Sequence, residues 1–178
     1  DEVFDVYKSQ FEYNKTLDSK TTNFEVFQEG YTAQKFEMET TYESEEKLFG
    51  YVIYSNKFKD KYNPVIVYPN AGSIGTNTDD WLPVQLLNRF KYLIDEGYAI
   101  IHPVYHNTYS REKTIKTFWA SDKVDYKDAI IKIGQDYKRS LDYIESRNDF
   151  NFDNMSYFGY SWGSTTSNYL LAIDDRIK

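Results

Sequence analysis

The chain has 178 residues, a size for one domain or part of one, and 40% of them are apolar, including 18 Tyr and 12 Phe. That composition excludes global disorder, and the net charge of −7 excludes broad binding to nucleic acid or anionic membranes. With no Cys, disulfides, thiolate chemistry and Cys-ligated metals are excluded as well. No stretch approaches the roughly 20 apolar residues of a membrane span, and no signal-peptide pattern is present. The first residue is Asp1 rather than Met, so an upstream segment is expected to have been removed; the sequence leaves cytoplasmic and exported locations open. Two short basic clusters, Lys57–Lys61 and Arg111–Lys116, are mixed with acids and read as solvated surface.

Residues 1–33 read as an N-terminal lead-in. Within it Val3, Phe4, Tyr7 and Phe11 fall at helical spacing, which predicts a short amphipathic helix packed against the domain. Residues 34–178 read as the N-terminal part of a larger α/β domain. Lys35–Tyr42 places Phe36, Met38 and Thr40 on one face, and Leu48–Tyr54 is a second strand-like run. With the charged "ESEEK" as a turn, the two predict an antiparallel hairpin. The pattern then changes. "NPVIVYPNAG" is a short continuous apolar run, as in strands buried on both faces of a parallel sheet. "LPVQLLNRFKYLIDEG" has helical spacing with Gly97 as its stop. "YAIIHPVY" is a second buried strand. Asp125–Arg147 is a long amphipathic helix with Ala129, Ile130, Ile133, Tyr137, Leu141 and Ile144 on one stripe. "MSYFGY" is a third buried strand, and Gly163–Ile173 a further helix. The alternation implies a mostly parallel sheet with right-handed crossovers and helices on both faces.

Gly159–Tyr160–Ser161–Trp162–Gly163 matches G-x-S-x-G, the nucleophile elbow that places a Ser on a sharp strand-to-helix turn. The glycines have a steric reason, because the helix doubles back so tightly that side chains two residues either side of the Ser would collide. The Ser is held in a strained conformation above a helix N-terminus, which favours developing negative charge. The bland alternative is a Gly-bracketed turn with an idle Ser. Acyl transfer also needs donors aimed at the oxyanion. One candidate is the backbone N–H of Trp162. The other is that of Ala71, in the loop "PNAGSIG" after "VIVY"; a plain Gly-rich turn is the alternative there.

In this fold the order runs Ser, then acid, then His. His102 and His106 both precede Ser161, so neither is the expected base. His102 reads as a satisfied buried residue, and His106 as lining the active-site mouth or lying in a surface loop. Asp79, Asp80, Asp122 and Asp125 read as helix starts and loop residues. Asp174 and Asp175 fall at the end of the helix after the elbow, and no His follows Ser161.

The runs "PVIVYPNAGSIG", "YLIDEGYAIIHPVYHNTYSRE", "SLDYIESRNDFNFDNMSYFGYSWGS" and "LLAIDDRIK" resemble bacterial α/β-hydrolases of the dienelactone-hydrolase and prolyl-oligopeptidase-like type. More narrowly they resemble hydrolase domains attached to bacterial serine/threonine protein kinases. The resemblance implies a serine hydrolase of esters or similar acyl compounds, with Ser161 as nucleophile, Trp162 and Ala71 as the oxyanion hole, and no metal or organic cofactor. Its implied partner is a small-molecule ester or acyl substrate. Asn70 departs from the Gly often found there. The family continues past "DDRIK" into the strands that carry its acid and His. "MSYFGY" would moreover be an outermost strand without a charged guard. The chain is therefore expected to be a fragment that is inactive alone, its remainder being a further partner. The rival reading is a non-catalytic hydrolase-like binding or sensor module of a larger protein.

Overall fold

In a computed structural model, residues 2–24, 27–42 and 45–177 are described. Six strands form one sheet in the order β1-β2-β3-β5-β4-β6. They are β1 (Lys20–Asn23), β2 (Tyr31–Glu39), β3 (Lys47–Ser55), β4 (Asn63–Tyr68), β5 (Tyr98–Val104) and β6 (Ser156–Gly159). The helices are α1 (Glu2–Ser9), the short α2 (Gly72–Gly75), α3 (Leu82–Ile94), α4 (Val124–Ser146) and α5 (Trp162–Ile173). β2 and β3 pair antiparallel, Phe36 opposite Gly50, as the alternation predicts. Their turn lies partly outside the described residues. β3 pairs antiparallel with β5, while β4 pairs parallel with both β5 and β6.

Alternation along each strand feeds two cores. On one face Val65 and Val67 of β4 and Ile100 of β5 meet Leu82, Leu86, Leu87, Phe90 and Ile94 of α3. On the other, Ile66, Tyr68 and Ile101 meet Ile133, Tyr137, Leu141 and Ile144 of α4, together with Leu170 and Ile173 of α5. Because both faces are covered, β4 and β5 can be apolar throughout. Gly97, at φ 89°, ends α3 and turns the chain into β5.

Two expectations need correction, and one strand goes unannounced by the sequence. The lead-in helix α1 buries none of its own residues: Val3, Phe4 and Tyr7 are exposed. Phe11, just beyond it, is the anchor, packed on Gly134 of α4. The lead-in also supplies β1, a fully exposed strand along β2 that its polar sequence does not announce. Its path is held by the buried Arg139 of α4, whose Nη2 donates to Thr16 O at 2.9 Å and Asp18 Oδ1 at 2.7 Å. Finally, β6 is not buried on both faces. It lies at the sheet edge, as its expected outermost place requires, but with Ser156 exposed and Tyr157, Phe158 and Gly159 only half-buried.

Candidate functional site

The carboxyl ends of β4, β5 and β6 converge where three segments meet: the turn into α5, the loop 69–75 and the loop after β5. The turn into α5 is tight. A Cβ on Gly159 would lie 2.5 Å from the carbonyl carbon and oxygen of Gly163. A Cβ on Gly163 would lie 2.6 Å from Tyr68 O at the end of β4 and 3.1 Å from Pro69 O. Only glycine lets the strand, the helix and the neighbouring loop come so close.

Between them Ser161 takes φ 56° and ψ −111°, a conformation costing a non-glycine residue about 1–3 kcal/mol. Surrounding contacts hold it there. Tyr157 Oη donates to Gly163 O at 2.7 Å, Ser164 Oγ to Gly159 O at 2.9 Å, and Trp162 is buried edge-on against Tyr68. Ser161 itself is exposed.

The first turn of α5 is closed by Gly163 N donating to Tyr160 O and by Ser164 N and Thr165 N donating to Ser161 O. The Trp162 N–H has no backbone acceptor among the described residues, as expected for the first helical position. The loop after β4 behaves similarly. Asn70 Oδ1 accepts from Gly72 N at 2.7 Å, and Asn70 O accepts from Ser73 N and Ser73 Oγ. The Ala71 N–H is left without an acceptor among the described residues. Asn70 thus braces the loop with its side chain.

The loop after β5 is pinned to this arrangement. Asn107 and Tyr109 take positive φ values of 67° and 51°, and Tyr109 N donates to Ser73 O at 2.8 Å. Buried Asn107 spends its side chain on the backbone of Thr114 and Ile115. Arg111, expected at the surface, is buried. Its Nη1 reaches Asp136 Oδ2 of α4 at 2.6 Å and Val104 O at 3.0 Å, and its Nη2 reaches Tyr42 Oη at 2.6 Å. The sequence does not reveal this clamp, because its members are far apart in the chain.

Neither histidine hydrogen-bonds Ser161 among the described residues. His106 is neither at a mouth nor in an exposed loop. It is buried, its backbone N donates to Asp136 Oδ2, and its Nε2 lies 3.1 Å from Thr114 Oγ1. Burial, then the charges of Arg111, Lys132 and Lys113, lower its pKa to about 3. His102 is buried as expected but not fully satisfied, for its Nδ1 has no hydrogen-bond partner among the described residues. It lines a cavity of about 40 Å³ shared with Asn70, Arg89, Tyr109 and Tyr160, and burial lowers its pKa to about 4. Asp79 is more than a loop residue: its buried carboxylate accepts from Tyr51 Oη. Asp174 caps the far end of α5, about 20 Å along the helix from Ser161, and is held by Arg176. Among the described residues no group of three His, Asp or Glu side chains could hold a metal.

A larger cavity of about 630 Å³ opens between the loop 69–75 and the loop after β5, with Ala71 in its wall.

No protein-family model and no curated protein sequence matches the chain. Solved structures do, and they define the class: this is the α/β-hydrolase fold. Acetyl xylan esterase 1 from Thermoanaerobacterium sp. JW/SL YS485 superposes with a TM-score of 0.74 at 14% identity, over 99% of this chain and 56% of that one. An acetyl xylan esterase from Paenibacillus sp. R4 gives 0.70 at 14% identity, over 99% and 56%. A glucuronoyl esterase from Solibacter usitatus gives 0.64 at 11%, over 99% and 55%. These neighbours are carboxylic ester hydrolases, and the chain spans little more than half the length of each.

Proposed function

We propose that the protein to which these residues belong is a serine hydrolase of carboxylic esters. The observation that carries the reading is the backbone of Ser161, held at φ 56° between two glycines that cannot be replaced without collision. Strain of this kind persists where a side chain must be presented in one direction. Ser161 Oγ attacks the ester carbonyl, and the N–H groups of Trp162 and Ala71, both without backbone acceptors, stabilise the oxyanion as charge develops. The dipole of α5 adds to that field. An acyl-enzyme forms with loss of the alcohol, and water then releases the acid.

The base and the acid that orients it come from outside the 178 residues, in the length by which the esterase neighbours exceed this chain. That remainder would also pair with the open edge of β6. A second reading is favoured by the lack of a histidine against Ser161 among the described residues: a hydrolase-like binding or sensor module, as of a kinase-attached protein.

Fluorophosphonate labelling of the full-length protein separates the two. The esterase reading expects labelling that Ser161→Ala abolishes, and no turnover by the 178 residues alone. Ser161-independent labelling, or none, would leave the binding module.

A further inference from the structure

The cavity beside Ala71 has an electrostatic character opposite to that of the chain. The chain carries a net charge of −7. Yet the cavity wall holds two lysines, Lys113 and Lys116, and no carboxylate among the described residues. Its remaining wall is apolar or neutral, with Ile74, Ile115 and Phe118 as the apolar part.

Lys113 is half-buried. Its ammonium donates to Tyr109 O and, at 3.4 Å, to Ser73 O, the two segments that frame the cavity. An ammonium has three protons, so one remains. No carboxylate forms an ion pair with Lys113 among the described residues. Glu46 exerts an attraction on it, but Glu46 already accepts from Glu112 N at 2.8 Å and Arg111 Nε at 3.4 Å. Partial burial lowers the Lys113 pKa to about 8, so it stays mostly charged at neutral pH and is under-solvated. Lys116 is exposed at the same wall. A partly desolvated cation held in place by two carbonyls, with no carboxylate in ion-pair contact among the described residues, is suited to an anion.

We propose that this cavity binds a carboxylate group of the ligand through Lys113 and Lys116. Resting on the esterase reading, the substrate is then an ester that carries a free carboxylate on the fragment lying beside Ala71. The apolar wall of Ile74, Ile115 and Phe118 accommodates the carbon skeleton between that carboxylate and the ester. The arrangement selects anionic esters against neutral ones of the same size.

The test begins with binding, which does not depend on catalysis. Full-length protein carrying Ser161→Ala is titrated with glutarate and, as a neutral control, with dimethyl glutarate, following intrinsic fluorescence. Glutarate is expected to bind, and Lys116→Gln to weaken it about tenfold, the loss of one charge-assisted contact. Lys113→Met is expected to weaken it further, while Lys113→Arg, which keeps the charge, restores most of the affinity. No binding of glutarate, equal binding of the neutral diester, or binding that survives loss of both lysines overturns the proposal. In a second arm, full-length protein with Ser161 intact is given 4-nitrophenyl acetate and 4-nitrophenyl hemiglutarate, with 4-acetoxybenzoate carrying the charge on the alcohol side. The kcat/KM ratio of one charged ester over the neutral one should fall about tenfold in Lys116→Gln. Ser161-dependent hydrolysis with lysine-independent ratios sinks the cavity assignment alone. Lysine-dependent glutarate binding without any hydrolysis sinks the esterase reading alone.

Discussion

Arg111 Nη1 and Asp136 Oδ2 meet at 2.6 Å with both side chains 1% exposed, joining the loop after β5 to the middle of α4. Asp136 also accepts from His106 N and Tyr42 Oη, so its carboxylate is the hub on which the loop is folded. Burial raises the pKa of Asp136, and Arg111 opposes that shift. Taking away one partner of such a pair leaves a buried charge without compensation. Asp136→Ala should therefore cost about 3–5 kcal/mol in equilibrium unfolding. The double change Arg111→Met with Asp136→Leu should cost clearly less than Asp136→Ala alone, since it leaves no stranded charge. A loss under about 1 kcal/mol for Asp136→Ala would show that the loop holds without its hub.

The collision at the elbow predicts a contrast among glycines. Gly159→Ala puts a methyl 2.5 Å from the backbone of Gly163, where no flexible side-chain end can move aside. It should lose at least about 2 kcal/mol, the range of overpacked sites that must shift backbone. At Gly75 an added Cβ meets nothing within 4 Å. Gly75→Ala should stay within about 0.5 kcal/mol of the parent, as surface changes do. Similar stabilities for the two variants, measured by urea titration, would mean that the strand-to-helix turn is looser than described.

The strain at Ser161 has its own signature. With φ 56° and ψ −111°, Ser161→Gly relieves a steric cost that Ser161→Ala retains. Both lose the hydroxyl, so the comparison isolates the backbone. Ser161→Gly should be more stable than Ser161→Ala by about 1 kcal/mol, the lower end of the strain range after the entropy cost of glycine. Capping alone also favours glycine over alanine at a helix start, so equal stabilities or the reverse order would show that the backbone at Ser161 is not strained.

How far these features were legible in the sequence depends on how local they are. The apolar runs of β4 and β5 and the stripe on α4 announce themselves because burial on two faces or one stripe imposes a pattern within a few residues. The turn at Ser161 is legible for the same reason: the two glycines and the strained residue are contiguous. β1 escapes notice because Lys20–Asn23 buries nothing, and its pairing with β2 and the hydrogen bonds of Thr21 to Tyr143 and of Asn23 to Gln34 leave no apolar pattern in the sequence. β6 is less buried than its apolar run suggests, because an apolar pattern does not show whether anything covers the faces of an edge strand. The surface reading of Arg111 failed because its partners, Tyr42 and Asp136, lie 69 and 25 residues away in sequence. His106 is hidden for the same reason, since the clamp on Asp136 draws that loop inward.

The two histidines set the acid side of the stability curve. Burial holds the folded-state pKa of His102 at about 4 and that of His106 at about 3, below the ordinary value of 6.5. A depressed pKa means that the unfolded chain binds protons more readily than the folded one. Stability is thus fully present above about pH 6.5 and declines as pH falls towards 4 and then 3. Between pH 7 and pH 5 each histidine should cost about 2 kcal/mol. Asp95, Asp149 and Asp174, whose pKa values are lowered, contribute little in that window because their protonation begins lower, while buried Asp136, whose pKa is raised, works in the opposite direction to the histidines. Urea unfolding at pH 7, 6 and 5 measures the slope directly. His102→Gln should remove about half of it, because the remaining half belongs to His106. A slope unchanged by that substitution would mean that His102 stays as basic in the folded chain as in the unfolded one, and so is not buried without a partner.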